Sequence, residues 1–290
     1  MNCRRYVVIF AMLLVLVQQL HAQVKVDMSI SKQRRLFLVY EPIIVTVSIT
    51  NLSGHDLTLD DADSQKWFSF QVTAGDGRIV PPLDLDYHLQ PLSIPMGETV
   101  KRSLNLSSLY AVQEFGLYRV KASVYSPDTQ KYYSSPSTDL EITDGKLIWE
   151  QTVGVPGKQS NRTISLLTFR MEKDNMLYIR VQDKEAGLVY TTNQLGRVLL
   201  TYEPEVQLDR ENQIHVLQLV GARTYVYSRI GLNGEWLGQV VYNAVTTRPT
   251  FQKTKDGNVI VIGGQADVPV APDAPTEPKL SDRPPGFPKS

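Results

Sequence analysis

The chemistry open to this chain is limited by how few reactive groups it carries and by how they are spaced. Cys3 is its only cysteine, and it lies inside a leader-like opening segment. The chain beyond that segment therefore has no thiol to serve as a nucleophile or to form a disulfide. Gly-x-Ser-x-Gly is absent. His55, His88 and His215 stand beyond the leader, and none shares a His-x-x-x-His or His-x-His spacing. A zinc site would have to be assembled from distant points. His215 alternates with Ile214 and Val216, which puts it on the polar side of a strand, and His55 follows Gly54 in a turn.

Two carboxylates facing each other could hydrolyse a glycoside, but no neighbouring residue singles out any pair among the 30 acids. Asp56, Asp60, Asp61 and Asp63 gather oxygen ligands in one loop, with Asp84 and Asp86 in another. Calcium takes six to eight oxygens, yet Asp60-Asp61-Ala62-Asp63-Ser64 lacks the central glycine and distal glutamate of an EF-hand. It reads as a solvated loop. Gly263-Gly264 follows a strand but opens no helix, so it is no phosphate loop. The expectation is a chain that is not an enzyme, with no catalytic residue, no metal ligand and no cofactor.

Aromatic side chains offer the other route to function. Tyr178, Tyr190, Tyr202, Tyr225, Tyr227, Trp236 and Tyr242 crowd the second half. Rings on a sheet can stack on sugars or hold peptides. Tyr225 and Tyr227 lie two residues apart on one strand face, and Trp236 follows the turn Asn233-Gly234-Glu235. These three are the candidate ligand-stacking residues. The competing reading makes them ordinary strand residues with one side in the core.

The elements that would carry these residues begin after the leader. Arg4 and Arg5 precede an apolar run from Tyr6 to Val17, followed by Gln18-Gln19-Leu20-His21-Ala22. This is the order of a secretory signal peptide, residues 1–22. A helix of that run would cover about 18 Å, short of the ~30 Å hydrocarbon core, so no integral membrane segment is expected once the leader is cleaved. Its loss takes two arginines and no acid, leaving 28 basic against 30 acidic residues. Such a balance gives no footprint for nucleic acid. The expected location is extracytoplasmic: a bacterial periplasm or cell surface, or secreted.

Residues 23–144 alternate strand and turn. In Ile43 to Thr50, Val45, Val47 and Ile49 point one way, and Thr46, Ser48 and Thr50 the other. Trp67 to Val72 runs into Ala74-Gly75-Asp76-Gly77, a hairpin signal. Tyr118, Val120, Ala122 and Val124 form the apolar side of another strand. Leu106 to Val112 is the one place suited to a helical turn. Seven or so short strands at this spacing predict a β-sandwich.

Tyr40-Glu41-Pro42-Ile43-Ile44-Val45-Thr46-Val47 resembles the opening of bacterial immunoglobulin-like and macroglobulin-like modules, with Asn51-Leu52-Ser53 as their asparagine turn. Phe115-Gly116-Leu117-Tyr118-Arg119-Val120 is similar to their late hairpin. Ile43 stands where those modules usually carry a glycine. The resemblance covers residues 24–143 and implies a fold, with no ligand.

A second antiparallel β domain is expected over 145–265. Lys173 to Ile179, Arg210 to Val216 and Lys255 to Val261 are alike, their first strand residues (Leu177, Ile214, Val259) 37 and 45 residues apart. Such spacing resembles β-propeller blades, though the length supplies three at most. Either blade-like hairpins form a small sheet or sandwich, or the region completes a propeller by association. Over 266–290, seven of 25 residues are proline, which marks a disordered or polyproline-like tail.

The sequence therefore predicts an all-β, exported, non-catalytic binding or scaffolding protein. Its partner would be another envelope or extracellular protein met through loops or strand edges. A carbohydrate-binding module is one alternative. An envelope hydrolase or a protease inhibitor is the other, with Pro81 to Pro95 as the inhibitory loop.

Overall fold

Alternation of β-branched and polar residues sets the first strands. The computed structural model describes residues 23–31, 34–62 and 65–267; residues 1–22 (the expected signal peptide), Asp63 and the proline-rich stretch from 268 lie outside them. The chain is all-β, and its first half is an immunoglobulin-like two-sheet sandwich. One sheet joins β1 (Val24–Ile30), β3 (Ile44–Asn51) and β7 (Thr99–Asn105). The other runs in the order β2 (Leu36–Leu38), β10 (Thr138–Thr143), β8 (Gly116–Ser126) and β5 (Phe68–Ala74), with β9 (Lys131–Ser134) beside β8. A short pair, β4 (Leu57–Leu59) and β6 (Leu92–Ile94), bridges loops.

Val45, Val47 and Ile49 are buried between these sheets with Tyr118, Val120, Ala122 and Val124. The outward residues of β3 pair across strands: Thr46 Oγ1 lies 3.0 Å from Ser103 Oγ, and Thr50 Oγ1 2.8 Å from Thr99 Oγ1. Residues placed directly opposite each other interact in this way. The helical turn is α1 (Leu106–Leu109), one turn long, with Leu106 buried.

The second half forms two antiparallel meanders. β11 (Lys146–Gly154), β12 (Asn161–Met171), β13 (Asp174–Asp183) and β14 (Leu188–Arg197) make the first. β15 (Glu205–Leu208), β16 (Ile214–Leu219), β17 (Thr224–Ile230) and β18 (Trp236–Asn243) make the second, with the short β21 (Gln265–Ala266) on its edge. Ile164, Leu177, Ile179, Ile214, Val216 and Ile230 close the core between them. A separate hairpin, β19 (Thr250–Lys253) and β20 (Val259–Ile262), covers the other side of β16 and β17 through Phe251. The three similar segments mark hairpin turns, not equivalent strands: they open the third strand of one meander, the second strand of the next, and the return of the hairpin. Asn212 and Gly257, each two residues ahead of its strand, take left-handed φ of 60° and 81°, as tight turns require.

Between the halves, Tyr40 at φ 66° turns the chain so that Glu41 folds back. Its carboxylate accepts from the Leu38 amide at 3.0 Å and meets Arg34 Nη2 at 2.5 Å. Leu38 inserts among Leu167, Tyr178, Phe169 and Met176 on the first meander. Arg180 reaches back, donating to Asp144 Oδ1 at 2.8 Å and to the Val39 carbonyl at 3.1 Å.

Candidate functional site: an apolar cleft beside a closed sheet edge

β5 is the last strand of its sheet, so half of its backbone groups face away from any partner strand. Three devices close that edge. Tyr110 Oη donates to the Phe70 carbonyl at 2.7 Å and accepts from the Phe70 amide at 3.1 Å. The return of the Ala74-Gly75-Asp76-Gly77 turn gives the Val80 amide to the Val72 carbonyl at 2.9 Å, and the Ala74 amide to the Arg78 carbonyl at 2.8 Å. Pro81 and Pro82 then end the pairing, since proline has no amide hydrogen.

The chain beyond Pro82 arches over this edge and is tied down at both ends. The Leu83 amide donates to the Leu109 carbonyl at 2.8 Å. Lys66 gives its ammonium hydrogens to the Leu85 carbonyl and, at 2.7 Å, to the Tyr87 carbonyl. Trp67 Nε1 donates to the Leu89 carbonyl at 3.0 Å. Asp84 Oδ1 accepts from the Asp86 amide at 2.8 Å. The arch leaves a cleft of about 700 Å³. It is lined by the β5 edge from Phe68 to Thr73, whose Phe68, Phe70 and Val72 side chains belong to the sandwich core, and by Val80, Pro82, Tyr87 and Leu109. At the rim, Ile79 is 82% exposed and Leu85 73%. Burial pushes the Tyr87 phenol up from its ordinary range. Its polar lining is sparse: Ser69, Gln71, Thr73, Asp84 and a lysine already occupied by carbonyls. Such a cavity can shelter apolar side chains and orient them with a few hydrogen bonds.

Of the three candidate stacking aromatics, the structure puts Tyr225 in the core and Trp236 on the other face of the sheet from Tyr225 and Tyr227. Tyr225 is 5% exposed, packed with Leu217 and Leu219. Tyr227 is half-buried on the same face, under Phe251. Trp236 is half-buried against the core between the meanders, on the opposite side of the sheet. Strand alternation kept Tyr225 and Tyr227 together, as expected. Their face lies under the β19–β20 hairpin, which the sequence pattern did not show.

The same hairpin overturns the expected place of His215, which is 4% exposed. Its Nδ1 lies 2.6 Å from Tyr227 Oη and its Nε2 3.1 Å from Asp209 Oδ2. The rings of His215 and Tyr227 stack at 5.8 Å, and Phe251 meets the imidazole edge-on at 6.2 Å. Burial pushes His215 below its ordinary value against the pull of Asp209, and pushes the Tyr227 phenol up to about 12. Asp209 is itself raised by burial, but hydrogen bonds from His215 and the Gln213 and Glu211 amides outweigh this and hold it low. The cluster ties the β15–β16 turn to β17 and the hairpin.

His55 and His88 are exposed, His55 3.5 Å from Asp128 and His88 paired with Asp61. Asp61 also accepts from the Trp67 amide, and Asp56 from the Met96 amide. Among the described residues no three His, Cys, Asp or Glu side chains are grouped to hold a metal ion, and no helix is long and apolar enough to cross a membrane. Asn51 is fully buried, donating to the His55 and Ile94 carbonyls at 2.8 and 2.9 Å. Its turn is structural.

No protein-family model matches the chain, and no curated protein does. Among solved structures it is similar to the CARDB domain of a Pyrococcus furiosus protein, solved in complex with di-metal ions. That likeness has 14% identity over 41% of this chain and 87% of the other, with a TM-score of 0.25. It is also similar to Spo0M, a sporulation control protein of Bacillus subtilis, at 11% identity over 58% of this chain and 83% of the other, TM-score 0.29. Likenesses this slight carry no argument about function.

Proposed function

We propose that this chain is an exported, non-catalytic binding protein whose cleft beside β5 takes an apolar protein segment outside the cytoplasm. The observation that carries the reading is the cleft itself. An apolar cavity of about 700 Å³ is rimmed by exposed Ile79 and Leu85 and kept open by Lys66. Exposed apolar rims over a preformed apolar lining are features of an interaction site. The leader pattern of residues 1–22 supports export. On this reading the two meanders, which share one core, form a scaffold behind the sandwich.

The test is photo-crosslinking in intact cells with benzoylphenylalanine at Ile79 or Leu85, against a control at Lys101 on exposed β7. Discrete adducts from the cleft positions alone are expected, formed in the envelope or medium by a chain that has lost its leader. The reading fails if the cleft positions give no adduct, or the same adducts as Lys101. It also fails if the purified chain shows turnover that one substitution abolishes without unfolding it.

A further inference from the structure

The closed edge of β5 limits what can occupy the cleft. An incoming strand would bring a row of amide hydrogens to an edge whose Phe70 and Val72 carbonyls are already taken. Each amide buried without a partner costs free energy comparable to a lost hydrogen bond. A proline-rich segment avoids this cost, because prolyl residues bring no amide hydrogen and polyproline II needs no backbone partner. Proline rings also fit apolar grooves that carry aromatic residues, and Tyr87 lines this one beside Pro82 and Leu109.

The chain carries such a segment. Arg283-Pro284-Pro285-Gly286-Phe287-Pro288-Lys289 sets three prolines and one large ring between two cations. Asp84 lines the cleft and Asp86, two residues on, is exposed, and the lysine of the lining, Lys66, already serves two carbonyls. The rim is negative where the segment is positive. Ahead of it, Pro269, Pro272, Pro275 and Pro278 recur at every third position, the repeat of a polyproline II spacer with three residues per turn. Asp267 to Arg283 spans 16 residues, about 50 Å at ~3.1 Å each. Reaching the cleft therefore requires it to lie within about 50 Å of Asp267 along the surface.

We infer that residues 283–289 of the same chain occupy the cleft, with Phe287 against its apolar lining and Arg283 and Lys289 facing Asp84 and Asp86. The inference rests on the reading of the cleft as a binding site. It makes the tail a built-in competitor that an external ligand must displace. Tethering gives such a segment an effective concentration in the millimolar range, so even a weak match keeps the cleft filled.

A fluorescent synthetic peptide of residues 281–290, followed by anisotropy, tests this against the full chain and against a chain ending at Lys279. The peptide is expected to bind the shortened chain, and the full chain at least tenfold more weakly. A Phe287→Ala peptide should lose binding, as should the shortened chain carrying Leu85→Asp, whose fold is checked by circular dichroism. Leu85 is exposed enough to accept the change. No binding to the shortened chain, equal binding to both chains, or indifference to Leu85→Asp overturns the inference. If the crosslinks from Ile79 and Leu85 form while the peptide does not bind, the cleft is a binding site and the tail is not its occupant. If both experiments fail, both readings fall.

Discussion

The hydroxyl of Tyr110 serves both backbone groups of Phe70, donating to its carbonyl at 2.7 Å and accepting from its amide at 3.1 Å. One side chain thus stands in for a missing neighbour strand at the middle of β5. Tyr110 is buried, and burial raises its phenol above the ordinary range, so it remains a donor at neutral pH. Tyr110→Phe keeps the ring and leaves Phe70 with two unmade bonds. The expected cost is about 1–3 kcal/mol, read from the urea midpoint. Hydrogen exchange at the Phe70 amide should quicken. An unplugged edge also invites pairing between chains, so light scattering should detect more self-association in the variant than in the native chain.

The joint between the two halves predicts a second outcome. A Cβ on Gly145 would lie 2.9 Å from Leu167 Cβ, 3.2 Å from the Thr168 carbonyl oxygen and 3.4 Å from Leu38 Cδ1. Gly145→Ala therefore wedges the halves apart, at about 1–3 kcal/mol for overpacking. Glu41→Gln removes the carboxylate that pairs with Arg34 on the first half's side of the same joint, where both side chains are about nine-tenths buried and Arg34 Nη1 reaches across to Tyr178 Oη at 3.2 Å. Stripping one partner from a buried pair costs roughly 3–5 kcal/mol. Calorimetry should show the native unfolding transition moved down in both variants, and split into two in Glu41→Gln. An unmoved transition in Glu41→Gln would show that the pair does not couple the halves.

What could be read from the sequence follows from what strand periodicity encodes. β3 and the first half of β8, up to Lys121, are covered on one face and open on the other, so alternation gave their inward residues correctly. β16 is buried on both faces, and there alternation between Ile214, His215 and Val216 misled, because a polar residue facing a covering hairpin looks like one facing water. Of the two readings open for Tyr225, ligand stacking or core, the same covering hairpin favours the core. The Pro81 to Pro95 segment was recognisable as a loop, although it ends in the short β6. The cleft was not legible, because it depends on Lys66 reaching carbonyls 19 and 21 residues away. No local pattern records such a clamp.

His215 should make stability depend on pH in a definite direction. Its ordinary value is 6.5, and burial lowers it in the folded chain. As pH falls below about 6.5, the unfolded chain takes up a proton that the folded chain resists. Stability therefore declines on acidification, by at most about 1.4 kcal/mol per pH unit from one group. Asp209, held below its ordinary 3.8, adds a loss in the same direction at pH values under about 4. Tyr227 acts at the other extreme: raised from 10 to about 12, it costs stability as pH climbs through that interval. Urea midpoints at pH 5 and pH 7.5 should differ for the native chain, and His215→Gln should narrow the difference while lowering both. An equal difference in the variant would assign the acid sensitivity to other groups.

Lys66 offers the most direct link between packing and binding. Its ammonium holds the arch by the carbonyls of Leu85 and Tyr87, and hydrogen bonds to a charged donor contribute about 1.5–3 kcal/mol each. Lys66→Met keeps most of the stem's apolar contact and removes every donor. The arch is also tied at Leu83 and Leu89, so it should loosen locally while the sandwich stays folded. Hydrogen exchange over residues 84–88 should rise by an order of magnitude or more, with the global urea midpoint little changed because that segment belongs to no strand. Crosslinking from Leu85 should weaken in the same variant, since a cleft that must first be ordered binds less tightly than one already formed. Unchanged exchange over 84–88 would mean that the arch is held by its own turn at Asp84, and that Lys66 is a bystander.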